Sequence, residues 1–129
     1  MGARTTALLI RESEKMPMVY RPLRYEQMMK AGEAYDVRAR RMFGGMGMYT
    51  GERMFAFLVD DRVGLKLCAE DFEAAMALPG AGPMCPEKGA EPMREYVQMP
   101  RAILDDPAAL MEWLEKSAEY ARNRKAAAL

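Results

Sequence analysis

The residue pattern predicts an α+β domain of two layers, an antiparallel sheet of about five strands with helices in the order α-β-β-β-α-β-β-α. Three observations lead there. Residues 41–67 carry short apolar runs broken by Gly and Asp turns, residues 105–122 read as a capped amphipathic helix, and 129 residues suffice for one sizeable core.

Taken in order, residues 1–20 show no sustained helical or strand period. With Pro17 and Pro22 as interruptions at their end, they read as a poorly ordered or loosely docked leader, ahead of a domain over 21–125 and a tail at 126–129. The first helix starts near Leu23 and runs through Tyr25, Met28 and Met29 toward Tyr35, interrupted by Gly32. RMFGGMGMY (41–49) and MFAFLV (54–59) then form a hairpin about the turn residues TGE (50–52). Asp60 and Asp61 make a second tight turn, after which Val63, Leu65 and Leu67 alternate with Gly64, Lys66 and Cys68. The three strands make a meander.

AEDFEAAMAL (69–78) has strong helix formers, carboxylates in its first turns, and Pro79-Gly80 to end it. Residues 79–92 read as a Pro- and Gly-rich loop with a short edge strand near Met84 and Cys85 and a turn at Lys88-Gly89. MREYVQM (93–99) is a further strand, with Met93, Glu95, Val97 and Met99 on one side and Arg94, Tyr96 and Gln98 on the other. Asp106 is a good N-cap and Pro107 suits the first helical position. Leu110, Trp113, Leu114, Ser117 and Ala121 then mark the buried side of the last helix, which Trp113 is expected to anchor.

Composition removes several chemistries. There is no histidine, so His-dependent triads, HExxH hydrolases and His-containing zinc sites are excluded. Cys68 and Cys85 form no CxxC pair and supply too few ligands for a structural zinc site. They read as reduced thiols, Cys68 acting as a small core hydrophobe. No run approaches a membrane span and residues 1–10 are too short an apolar stretch for a secretory signal, which points to a cytoplasmic protein with no membrane partner. Net charge is zero, yet positions 1–41 carry about +4 and the remainder about −4.

Four constellations merit chemical weighing. Gly44, Gly45 and Gly47 lack the spacing of either phosphate-binding loop and read as structural glycines at a bulge or close packing. Fourteen methionines include Met16/Met18, Met46/Met48 and Met84 beside Cys85. Thioethers can ligate Cu(I), but methionines two apart on a strand share a face and fill irregular cores without metal, so no cofactor is expected. The adjacent carboxylates Asp60/Asp61 and Asp105/Asp106 are explained by a turn and a helix start. Arg38, Arg40 and Arg41, with Arg21, Arg24 and Lys30 upstream, supply a local positive surface. On an extended backbone Arg38 and Arg40 lie together while Arg41 faces away.

RMFGGMGMYTGERMFAFLVDDRVGLKL (41–67), DFEAAMALPGAGPM (71–84), PMREYVQMP (92–100) and DDPAALMEWLEKSAEYAR (105–122) together resemble the N-terminal domain family of the TfoX/Sxy competence regulators, over residues 24–125. The resemblance implies a small antiparallel α+β domain of the single-domain kind. It brings no established catalytic set. Two-domain members carry a further C-terminal domain, so their regulatory activity is not carried over.

The expected function is a small noncatalytic protein-interaction domain in regulation, not an enzyme. The alternative is a nucleic-acid-binding regulator using the basic N-terminal half, and Arg38, Arg40 and Arg41 are the candidate contacts for either. Self-association as a homodimer is a further expectation, with Met46, Met48, Phe55, Phe57 and Met99 as the apolar interface.

Overall fold

The computed structural model describes residues 22–42 and 44–128, the side chains of 124–128 excepted; the expected leader at 1–20 lies outside them, as do Met16 and Met18. The chain runs α1 (Pro22–Ala31), a 3-10 turn (Glu33–Tyr35), β1 (Val37–Met42), β2 (Gly45–Thr50), β3 (Arg53–Val59), β4 (Arg62–Lys66), α2 (Ala69–Met76), β5 (Gly82–Pro83), β6 (Tyr96–Gln98), α3 (Arg101–Leu104) and α4 (Pro107–Ala128). The strands form one antiparallel sheet in the order β1-β2-β3-β4-β6-β5. The two-layer α+β fold is as the sequence implies, with six strands in place of about five and a meander of four in place of three.

β1 is the added strand. Its inner positions are Val37, Ala39 and Arg41, so a small residue and a charged one hide the period of two. α1 ends at Ala31 with the Gly32 amide still donating to the Met28 carbonyl at 2.9 Å, and the chain packs tightly at Gly32, where a Cβ would sit 2.5 Å from Val37 Cγ2. The turns follow their residues: Gly51 (φ 61°) joins β2 to β3, and Asp60 takes a left-handed φ of 56° between β3 and β4, a conformation Asp tolerates better than most residues.

A bulge decides which residues become core. Met48 pairs with Ala56 but Tyr49 pairs with Met54, leaving Phe55 as the extra residue on β3. Phe55 and Ala56 therefore both face the helices, while Met54 and Phe57 face the other way. The Phe55 carbonyl accepts a 2.8 Å hydrogen bond from the buried Ser117 hydroxyl of α4, so the polar member of that helix's inner face is satisfied. Leu110, Leu114, Ala118 and Ala121 complete that face against Met46, Met48, Leu58, Val63, Leu65 and Val97. Asp106 caps the helix as expected, its Oδ1 accepting from the amides of Ala108 and Ala109.

This packing corrects the expected apolar interface. Met46, Met48, Phe55 and Met99 are buried beneath the helices and Phe57 is buried on the opposite face, so none of the five offers a free apolar surface. A period of two would group Phe55 with Phe57, and the bulge breaks that period. Cys68 is likewise not a core residue: it stands half-buried at the start of α2 with its thiol 3.4 Å from Asp71 Oδ2. The expected 93–99 strand shrinks to three residues because Glu95 adopts a left-handed φ of 72°, which turns Met93 to the side of Tyr96.

A polar cluster fastens α1. Arg24, only 2% exposed, donates from Nε to Asp61 Oδ1 at 2.9 Å and from Nη1 to Asp105 Oδ1 at 2.6 Å and Gln27 Oε1 at 2.9 Å. Arg101 approaches the other Asp61 oxygen at 3.0 Å. A buried guanidinium is tolerable only with such partners, and here they join α1, the β3–β4 turn and the α3–α4 junction. Arg24 therefore does not belong to the basic surface in which the sequence groups it.

Candidate interaction surface

The helices cover only one face of the sheet. On the other, residues 84–95 fold back over β4 and β6, with the Met84 amide donating to the Tyr96 carbonyl and the Met93 amide to the Met84 carbonyl. Met84 lies directly on Gly64, where a Cβ would come 2.5 Å from Met84 Cγ. Phe57, Val59 and Tyr96 are buried under this flap. Burial first, then the neighbouring Tyr49 and Glu95, push the Tyr96 phenol far above its ordinary range, so it stays protonated and its hydroxyl donates to the Met54 carbonyl at 3.3 Å.

Beyond the flap, toward β1, the outer face carries a different set of side chains. The thioethers of Met42 and Met54 lie over Gly47, at 2.5 and 2.9 Å from where its Cβ would be. Tyr49 donates its hydroxyl to Met42 Sδ at 3.6 Å, and the Arg40 guanidinium stands 5.6 Å from the Tyr49 ring centre. Arg38 donates to the Gly51 carbonyl at 3.0 Å. Arg38 and Arg40 thus share the outer face and Arg41 projects to the helix side, as an extended backbone requires; all three are exposed. Among the described residues neither Arg38 nor Arg40 meets a carboxylate.

A second charged surface lies on the helix layer, outside the residues singled out from the sequence. A cleft of about 680 Å³ between the start of α2 and α4 is lined by four carboxylates, Asp71, Glu112, Glu115 and Glu119, and one cation, Lys116, together with Tyr35 and Tyr120. Tyr35 donates to Glu119 at 3.0 Å and Tyr120 to Glu95 at 2.6 Å; burial and then the Glu119 bond raise the Tyr35 phenol above its usual range. The signal is present in the spacing of Glu112, Glu115 and Glu119, which places three carboxylates on one side of a helix. Among the described residues, the arginines of β1 and the carboxylates of α4 thus stand on separate surfaces.

The groups weighed for chemistry are occupied elsewhere. Gly45 and Gly47 lie inside β2, Gly45 paired with Met42 of β1 and Gly47 with both Arg40 of β1 and Phe57 of β3, so they are strand residues and not a phosphate cradle. Asp61 holds Arg24 and Arg101, and Asp105 is drawn below the ordinary carboxylate range by hydrogen bonds from Gln27 and Arg24. Among the described residues no three His, Cys, Asp or Glu side chains are placed to hold a metal ion, and no helix is long and apolar enough to cross a membrane.

The fold and its surfaces define a small α+β domain whose distinctive chemistry lies in charged surface, with a basic sheet edge and an acidic helix face. The TfoX N-terminal domain family model matches residues 26–121, most of the chain, and the chain belongs to that family. No curated protein matches it.

Proposed function

We propose that this domain is a noncatalytic interaction module in regulation, and that it meets a protein partner through β1 and the adjoining outer face. The observation that carries the reading is the presentation of Arg38, Arg40 and Arg41 on one edge strand, beside the half-buried thioethers of Met42 and Met54. Rigid cations next to adaptable apolar groups suit recognition of another protein. Family membership supports a regulatory setting.

The test compares proteins captured from the native cell extract by three forms, quantified by mass spectrometry. These are the wild type, Arg38→Glu/Arg40→Glu/Arg41→Glu, and Glu112→Lys/Glu115→Lys/Glu119→Lys. A partner lost at least about tenfold with the first variant and kept by the second is expected, since opposite charge at a contact is disfavoured. Equal capture by all three forms overturns the reading.

Three arginines within four residues also favour a second reading, contact with nucleic acid. It predicts binding of DNA or RNA probes in low-salt fluorescence anisotropy that weakens steeply with added salt and is lost in the arginine variant. A flat titration removes it.

A further inference from the structure

The two edges of the sheet are unlike. β5 is an edge of two residues, one of them Pro83, which has no amide to donate. β1 is an edge of six residues, all paired with β2 on one side, and among the described residues no strand lies on the other. Alternate residues of such an edge direct both N–H and C=O outward, and an open row of this kind is a template for another strand.

The side chains of β1 select what can be added. A second copy pairing antiparallel through the same edge, centred on Ala39, would bring Arg38 of each copy against Arg40 of the other, and like charges across strands are disfavoured. An incoming strand with carboxylates at alternate positions meets the opposite situation. Its acidic side chains fall beside Arg38 and Arg40 on the outer face, while its backbone completes the ladder. Those guanidiniums are already positioned, one over the Tyr49 ring and one on the Gly51 carbonyl, so little further ordering is needed.

We infer that β1 is a receptor edge for an extended acidic segment of a partner protein, which adds to the sheet as a further strand. The inference rests on the interaction reading and specifies its occupant and its mode. It is distinct from docking onto the outer face alone, because the backbone of the incoming segment is required.

The experiment titrates the full chain with an acetylated, amidated peptide of about seven residues alternating Glu with Val or Thr, a length matched to one strand. Binding is followed by calorimetry, and hydrogen exchange reads the amides of residues 37–42. Two further peptides carry N-methyl groups at alternate positions, one set blocking each edge. The expected result is binding that weakens with salt, slower exchange on β1, and at least about a tenfold loss with one methylated set but not the other. Arg38→Glu/Arg40→Glu should reject the acidic peptide and accept the same pattern with Lys in place of Glu, which also verifies that the variant is folded.

Equal binding of both methylated peptides, or none by the parent peptide up to about 1 mM, overturns the strand-addition inference. So does a dimer in ultracentrifugation whose β1 amides are protected without peptide, since the edge is then taken by a second copy. The interaction reading falls separately, only if extract capture is indifferent to the arginines.

Discussion

The two faces of the sheet are closed in different ways, and the difference accounts for where this protein can act. On the inner face a long helix lays Leu110, Leu114, Ser117, Ala118 and Ala121 across the central strands, and every one of them is buried. On the outer face a loop with no helix of its own reaches across β4 and β6 by setting Met84 on Gly64. Its cover ends there. From Met54 to β1 the side chains change to thioethers, a tyrosine and arginines, residues suited to a surface that another molecule can occupy.

The most direct way to break this comparison is to remove side chain from the closed face. Leu114 projects from α4 into the core against the sheet and is fully buried, so Leu114→Ala should cost about 3–4 kcal/mol through lost transfer energy and the cavity left behind. Chemical denaturation should lower stability in one cooperative transition, with faster hydrogen exchange in every strand of the sheet. A loss below about 1 kcal/mol would mean that α4 is not the principal cover of the inner face.

The outer closure is tested by adding a group. In Gly64→Ala the new methyl must displace Met84, whose backbone is held by hydrogen bonds to Tyr96 and Met93, so a cost of about 2 kcal/mol is expected from overpacking. The effect should be local, with exchange rising mainly over residues 82–98 while α4 stays protected. Gly64→Ala/Met84→Ala should be less unstable than the sum of its parts, because the small side chain makes room for the methyl. Strict additivity would show that the two residues do not press on one another.

The same division separates the legible parts of the sequence from the illegible ones. The inner face is legible because it obeys simple periods: Val63, Leu65 and Leu67 alternate, and α4 carries its own cap at Asp106. The β3 bulge is not, since one extra residue reverses the faces of everything before it and nothing local in RMFAFLV marks Phe55 as the residue left over. β1 is hidden for a different reason. At an edge whose inner side holds Val37, Ala39 and Arg41, the alternation that identifies a strand is lost, although the three arginines themselves stand out as charge. Likewise Arg24 looks like surface charge until Asp61 and Asp105, 37 and 81 residues away, are brought to it by the fold.

Trp113 provides the most discriminating test, because it sits at the margin of the closed face. The sequence places it on the apolar side of α4 as an anchor, which if fully buried would make Trp113→Ala cost about 3–5 kcal/mol. In the structure it is half-buried against the edge of the core, with Lys116 Nζ 5.8 Å from its ring centre. An indole only partly withdrawn from solvent contributes part of its area, and an exposed cation over a ring adds little, so the expected cost falls to about 2 kcal/mol. It is the sole tryptophan, so iodide quenching of the wild-type emission reports its exposure directly and denaturation of Trp113→Ala reports its energy. Efficient quenching together with the smaller cost places the indole at the rim of the inner face. Emission shielded from iodide with a cost near about 4 kcal/mol would extend the closed face to include it.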